Sequence, residues 1–379
     1  MKPFSLSLIL IIMVGACGKQ HAAKSSALPL PAATPVSGAF SNTELHEFTA
    51  LEPIDSHTHI YQSSSIFFAM LKKLHLHIID IVVVSENRKG AWNSLPEESA
   101  VTWQVVRQSD GHASLCTTFD PYNFNEPSFG ETAVRQINQN LDQGAIAVKI
   151  WKNIGMEIKD NKGNYILPDD PIFEPIYKDI ATHNKTLIAH VADPNSSWEP
   201  PNPASPDYSY YMRHPEWYMY DKPHPASKEQ ILRARDHLLE ENPNLRVVGA
   251  HLGSMEMNFT QLAQDLDRYP NFAVDLAARM PYLMLQPRLD MIRFITKYQD
   301  RLLYGTDDDL LPQADVQNTV TKIENRYAQD WRFLATDDIV VEPASGRHVQ
   351  GLALPQSVLR KLYHDNAIHW FPGILGNSH

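Results

Sequence analysis

Cysteine is nearly missing from this chain: only Cys17 and Cys116 occur in 379 residues. Cys17 falls in an N-terminal segment treated below. Cys116 then stands alone, and no intramolecular disulfide is expected. Multi-cysteine zinc sites are excluded as well, so any metal must be held by histidine and carboxylate. A basic surplus is also missing. The 33 Lys and Arg against 44 Asp and Glu leave a net charge of −11. That balance argues against nucleic acid or an anionic membrane face as the main partner. The N-terminal apolar run, Leu6–Val14, is too short to span a bilayer. What is present is a hydrophobic fraction of 43% with 20% charge, enough for a sizeable core in one large domain or two ordinary ones.

Lys2, the apolar run and the small residues Val14-Gly15-Ala16 before Cys17 fit a secretory signal. The last four residues resemble a bacterial lipobox, with Val14 in place of the usual leucine. The resemblance implies a lipoprotein signal over residues 1–17 in which Cys17 is lipidated and becomes the new N-terminus, and Gly18 after it points to a lipoprotein facing the periplasm. An ordinary cleaved signal is the alternative. Residues 18–45 are rich in Ala, Ser and Pro and read as a flexible tether, with the folded domain over 46–379.

Beyond the tether, short β-rich runs recur: Ile54–Ile60, Ile78–Val84, Ala113–Phe119, Ala145–Trp151, Thr186–Val191, Leu245–His251, Asn271–Leu276 and Arg301–Thr306. Helical periodicity fills most of the gaps, as in Glu131–Gln143, Phe173–His183, Met255–Tyr269 and Lys228–Leu239, the last with Ser227 as its cap. Eight strands alternating with helices predict an α/β fold with a parallel sheet, and the count points to a (β/α)₈ TIM barrel over a doubly wound open sheet. Two insertions interrupt the rhythm. One, from Asp193 to about Pro225, is rich in Tyr and Trp and reads as a pocket wall or as a packed excursion. The other runs from Asp308 to about Gly351, with a helix expected over Val316–Arg326. Gln356–Phe371 is expected to be a closing helix.

The chemistry-bearing residues fall in or just after strands. In Ile54-Asp55-Ser56-His57-Thr58-His59-Ile60, His57 and His59 alternate onto one face. His190 ends the fifth run, His251 the sixth, and Asp307 follows the eighth. Taken singly, each histidine reads equally as a satisfied core residue and the aspartate as a cap. Taken together they would converge on one barrel mouth. The nitrogen and oxygen ligand set suits zinc, with manganese or iron as alternatives.

These motifs, with Ile188-Ala189-His190, Ala250-His251-Leu252-Gly253, Tyr304-Gly305-Thr306-Asp307 and Asp365-Asn366-Ala367, resemble the amidohydrolase superfamily over about residues 50–372. The likeness is to the amidohydrolase-related branch that holds aminocarboxymuconate-semialdehyde decarboxylase, resorcylate-type decarboxylases and lactone hydrolases. It implies that His57, His59, His190 and Asp307 bind one divalent metal. Asp307 would move the proton of a metal-activated water and His251 would polarise the substrate carbonyl. Elsewhere in the superfamily a lysine on the fourth strand is carbamylated and bridges two metals. By that reading Lys149 is also a ligand and His251 binds the second ion. Otherwise Lys149 pairs with a substrate carboxylate or a buried acid, since a buried lysine without a partner is costly. Lys152, Trp198 and His224 are candidates for substrate contact, and Asp193 is a turn or pocket residue.

The expected activity is hydrolysis of an amide, cyclic amide or lactone. Non-oxidative decarboxylation on the same scaffold is the alternative, with Lys149, Arg213 or Arg279 gripping a carboxylate. A non-catalytic binding lipoprotein is a third reading. The expected partner is a small molecule, ring-bearing or carboxylated, met in the bacterial cell envelope.

Overall fold

The computed structural model describes residues 35–85 and 94–376. The Leu6–Val14 run, Cys17 and residues 18–34 of the expected tether lie outside them. Among the described residues, no helix is long and apolar enough to cross a membrane.

Parallel strands form the centre. They are β1 (Ile54–Ile60), β2 (His77–Ile81), β3 (Ala113–Thr117), β4 (Ala147–Ile150), β5 (Thr186–Ala189), β6 (Arg246–Gly249), β7 (Phe272–Asp275), β8 (Leu302–Leu303) and β9 (Asp308–Leu310). Each pairs with its sequence neighbour from β1 to β8, and β9 pairs with β1. β8 and β9 are two halves of the eighth barrel strand. The four residues between them are tied to β1, Ser56 N–H donating to Tyr304 O at 3.0 Å and Asp307 N–H to His57 O at 2.8 Å. The ring is therefore closed, as a TIM barrel. The close approach of β1 needs Gly305, where a Cβ would stand 3.1 Å from the His57 Cβ. Strands β2 to β8 are short, largely apolar runs buried along nearly their whole length, the pattern of a parallel sheet covered by helices.

Helices form largely where periodicity and caps require them. Ser227 caps Lys228–Glu241 through a reciprocal capping box with Gln230. The helix in the second insertion runs Val316–Ala335, well past the expected end at Arg326. Its extra turns bring Tyr327 and Trp331 against Phe48, at ring separations of 6.4 and 5.7 Å. The expected single closing helix is instead two short helices, Gln356–Arg360 and Asn366–Trp370, joined by a π turn. That wider turn leaves Leu362 O accessible to the Tyr304 N–H at 2.9 Å, which fastens the C-terminus to the eighth strand.

The tether boundary needs correction. Val36 N–H already donates to Ile339 O at 3.0 Å. Ser41 caps a helix over Asn42–Thr49 with Glu44 completing a capping box. Buried Arg332 reaches back to Gly38 O, Ala39 O and the Glu44 carboxylate. Alanine and proline content alone did not reveal these partners, which come from the second insertion.

His77 begins β2, buried between Gly111 O at 3.0 Å and Ser114 Oγ at 2.9 Å. Burial pulls its imidazole down to about 4. The unfolded chain takes up this proton at roughly pH 6.5, while the folded chain resists until far lower, so stability is lost as pH falls. Between pH 7.5 and 5 its share is about 2 kcal/mol. Urea unfolding of wild type and His77→Gln at the two pH values should show the variant losing less stability on acidification. Equal losses would remove His77 as a source of the acid sensitivity.

Candidate metal centre at the barrel mouth

The C-terminal ends of β1, β4, β5, β6, β7 and the eighth strand bring the candidate residues together. On β1, the pleat sends His57 and His59 to one side, as the two-residue spacing requires. His57 Nδ1 faces Asp275 Oδ2 at 2.8 Å, and His59 Nδ1 faces Ile81 O at 2.9 Å. Both acceptors lack a proton, so each Nδ1 carries one and each Nε2 keeps its lone pair. Those lone pairs are directed at Asp307, whose Oδ1 lies 3.5 Å from His57 Nε2 and 3.4 Å from His59 Nε2.

His251 is presented by an unusual turn. Four consecutive residues, His251, Leu252, Gly253 and Ser254, have φ of +58°, +59°, +61° and +65°. Three of them are not glycine, and a left-handed turn of this kind is strained. It is held by long-range bonds: His251 N–H to Asp275 Oδ1 at 2.7 Å, Arg235 Nη1 to Gly253 O at 2.8 Å, and Ala192 N–H to Ser254 Oγ at 3.3 Å. The turn packs tightly, since a Cβ on Gly249 would meet Gly253 Cα and the Phe272 ring at 2.8 Å. Gly249→Ala should therefore destabilise the protein by about 1–3 kcal/mol through overpacking and weaken metal uptake by moving His251. Denaturant midpoint and metal titration check this, and unchanged values for both would contradict it.

His251 Nδ1 donates to Ala277 O at 3.0 Å, so its Nε2 is an acceptor. That Nε2 lies 3.2 Å from His190 Nδ1, while His190 Nε2 lies 3.2 Å from Asp193 Oδ1. Burial, then the charges of Lys152 and Lys149, hold His190 well below the usual imidazole range, so it is neutral. A neutral His190 has one ring proton for these two acceptors: given to Asp193 it leaves the Nδ1 lone pair facing that of His251, and given to His251 it leaves the Nε2 lone pair facing the carboxylate. Two lone pairs converging at this distance fit a shared cation and are costly without one.

Lys149 is fully buried on β4, with Nζ 3.2 Å from His57 Nε2. Burial pulls its amine down to about 8, against the opposing charges of Asp275, Cys116 and Asp307. Burial alone would raise the Asp307 carboxyl, but His251, His59 and His57 hold it well below the usual carboxylate range. Asp275, at the end of β7, is held low in the same way, by His57, His251 and Lys149 against its own burial.

A family model described as amidohydrolase matches residues 123–373. The chain belongs to the amidohydrolase family. The matched span includes His190, His251 and Asp307 but not His57 and His59, which join the site by geometry. A search among curated proteins returns no match. Solved structures give loose likenesses. One is a TIM-barrel protein from Bordetella bronchiseptica, 16% identical with a TM-score of 0.48, covering 84% of this chain and 97% of that one. Another is the 2,6-dihydroxybenzoate decarboxylase from Rhizobium, 11% identical at 0.49, covering 84% and 98%. A third is a probable 2-pyrone-4,6-dicarboxylic acid hydrolase from Acinetobacter baumannii with citric acid bound, 10% identical at 0.46, covering 84% and 99%.

Among the described residues of this amidohydrolase, His57, His251 and Asp307 form a group that could hold a metal ion, with ligand atoms all within 4.8 Å of one another. His59 adjoins the group through Asp307. His190 adjoins it through His251, at 3.2 Å. The left-handed turn carries the His251 ring inward between His57 and His190, at ring separations of 4.8 and 4.3 Å.

Lys152 lies in the wall. Its Nζ is clasped by Asp193 at 2.7 and 2.9 Å and by Tyr210 Oη at 2.8 Å, under the Trp217 ring at 4.5 Å. The aromatic insertion is thus largely packed, with Tyr211, Trp217 and Tyr218 buried, yet it delivers Tyr210 to the mouth. Trp198 and His224 are not brought there. The Trp198 indole N–H is spent on Ala226 O at 2.8 Å inside the insertion, and His224 is exposed. Neither is joined to the histidine cluster by a hydrogen bond or ring contact among the described residues. Asp275 was missed by sequence reasoning. The available signal was a carboxylate closing an apolar strand, Phe272-Ala273-Val274-Asp275, at the same end as the histidines.

Proposed function

We propose that this amidohydrolase is a divalent-metal-dependent hydrolase of a C–N or C–O bond, such as an amide, cyclic amide or lactone. The observation that carries it is the tautomer pattern. His57, His59 and His251 each spend Nδ1–H on a neighbouring acceptor and turn Nε2 inward, beside Asp307. Such locking by outer partners is how imidazoles are prepared for ligation. Zinc suits the donor set best, with manganese or ferrous iron as alternatives. The facing His190 and His251 nitrogens, with Lys149 beside His57, support two ions and a carbamylated lysine over a single ion.

Bound there, a divalent ion supplies a Lewis acid and lowers the pKa of water toward neutrality. The chain's own residues do the rest. Asp307, anionic at neutral pH and partly open to the mouth at 32% side-chain exposure, accepts the proton of the attacking water and returns it to the leaving group. Asp275 keeps His57 and the His251 backbone in register. His251 has no ring proton to offer a carbonyl in this tautomer, which supports a ligand role for it over the carbonyl-polarising one. Lys152, Tyr210 and Trp217 wall the mouth. The lipobox-like Val14–Cys17 supports export and lipid anchoring at the cell envelope.

The test uses purified protein loaded with zinc, assayed on amide, cyclic amide and lactone panels in ¹⁸O-water. Hydrolysis with label in the product is expected, together with stoichiometric metal. Decarboxylation is the second reading, favoured by Lys149, which among the described residues has no carboxylate within ion-pair distance of 4.0 Å. An inert hydrolysis panel, with CO₂ released from carboxylated aromatics, would overturn the first reading in favour of the second.

A further inference from the structure

Asp55 is fully buried, two residues before His57. Four donors close on its carboxylate. Oδ1 accepts the His57 N–H at 3.0 Å and the Thr306 N–H at 3.1 Å. Oδ2 accepts the Thr306 hydroxyl at 2.6 Å and the Tyr327 hydroxyl at 2.8 Å. An ionised carboxylate only accepts and has about four sites, whereas an amide has one accepting oxygen. One side chain thus joins the backbone of His57 to the residue before Asp307.

Both joined places need a tie. Against β2, β1 carries one extra residue, since Asp55 pairs with Ile78 but Thr58 pairs with Asp80. A bulge of this kind takes an N–H out of the ladder, and the His57 N–H turns to Asp55 instead. Asp307 has φ of +63°. A non-glycine residue keeps such a conformation only where its surroundings over-determine it. Thr306 is fastened from other sides as well, its O accepting the Ala278 N–H at 3.1 Å and its Oγ1 the Asp308 N–H at 3.2 Å.

The helix Val316–Ala335 of the second insertion supplies the remaining hold. Tyr327 is buried, its ring set against Phe48 and Tyr304 at 6.4 and 6.2 Å. Its neighbour Arg326 pairs with Asp308, Nε to Oδ1 at 3.1 Å. Consecutive residues of one helix therefore hold both flanks of Asp307: Arg326 at residue 308, and Tyr327, through Asp55, at residue 306.

We propose that Asp55 and Tyr327 are positioning residues of the metal centre, through which the helix of the second insertion fixes the Asp307 carboxylate against His57. The proposal rests on the reading that His57 and Asp307 ligate a divalent ion. Each of the two acts through the backbone of a ligand, so their loss loosens the site while leaving every ligand atom present.

The test compares full-length wild type, D55N, Y327F and Y304F at pH 8, above the value of about 7 to which burial pushes the Asp55 carboxyl. Y304F is the control: it removes a buried hydroxyl bond to Asp330 at 2.9 Å on the same helix and none of the bonds to Asp55. Competitive zinc titration should show D55N binding about tenfold more weakly, the low end of the ~10–100-fold effect of outer partners. Y327F should fall between D55N and wild type. Y304F should lose stability to urea and keep wild-type affinity, which separates positioning from mere packing. Hydrogen exchange on the metal-free chain should be faster in Y327F over residues 54–60 and 304–310 and unchanged over 147–150 and 186–189. Should D55N not fold, Y327F and Y304F carry the comparison. Wild-type affinity in folded D55N, zinc binding weakened as much in Y304F as in Y327F, or exchange over 304–310 in Y327F as slow as in wild type would each overturn the proposal. A wild type that takes up no zinc sinks the metal reading, and the exchange measurement then still decides whether the clamp exists.

Discussion

Asp307→Asn lowers kcat by about 10³-fold, inside the ~10²–10⁴ span of a lost general base, while the protein stays folded. Asparagine is chosen for a backbone reason. Residue 307 has φ of +63°, a conformation asparagine tolerates nearly as well as aspartate. The N–H of residue 307 can keep its bond to His57 O, so the corner that closes the barrel survives. What disappears is the anionic oxygen beside His57 and His59, and with it the carboxylate of the His57, His251 and Asp307 group. Steady-state kinetics, metal analysis and circular dichroism on one preparation check this. A metal-replete, folded variant with kcat within threefold of wild type would remove Asp307 from the proton path.

Asp275→Asn acts at one remove and is expected to weaken metal binding by about 10- to 100-fold, as loss of an outer partner to a ligating histidine does. Wild-type Asp275 accepts three hydrogen bonds: His251 N–H at 2.7 Å and Ala277 N–H at 3.1 Å on Oδ1, and His57 Nδ1–H at 2.8 Å on Oδ2. An asparagine oxygen can keep the two backbone donors, but its amide then faces His57 Nδ1. Two donors cannot share that contact. His57 must move its proton to Nε2, where the ligand lone pair was, or rotate away. Competitive metal titration against a chromophoric chelator measures the loss. Unchanged affinity would show that His57 does not ligate through Nε2.

Sequence and structure agree where the physics is local. The two-residue spacing of His57 and His59 forces them to one face of any strand. The apolar runs before His190, His251 and Asp307 place those residues at strand ends whatever the loops do. The Ser227 capping box starts its helix because its donors and acceptors lie three residues apart. Disagreement appears where the partner is distant in the chain. Residues 36–45 read as tether because Ile339 and Arg332, which hold them, lie some three hundred residues away. Trp198 and His224 were drawn to the pocket by residue type, yet the fold turns the indole N–H onto Ala226 and leaves the imidazole in solvent.

The chain's order of residues was thus sufficient for the closed barrel, the histidine-and-carboxylate chemistry and the end of the barrel that bears it, since all three follow from strand periodicity and the donor types available. Tertiary structure alone decided which ring nitrogen faces inward, that His251 enters on a left-handed turn, and that buried Arg279 has no acid within ion-pair distance among the described residues. Tautomers and unpaired charges are set by acceptors brought from other strands, and those distances exist only once the barrel has closed.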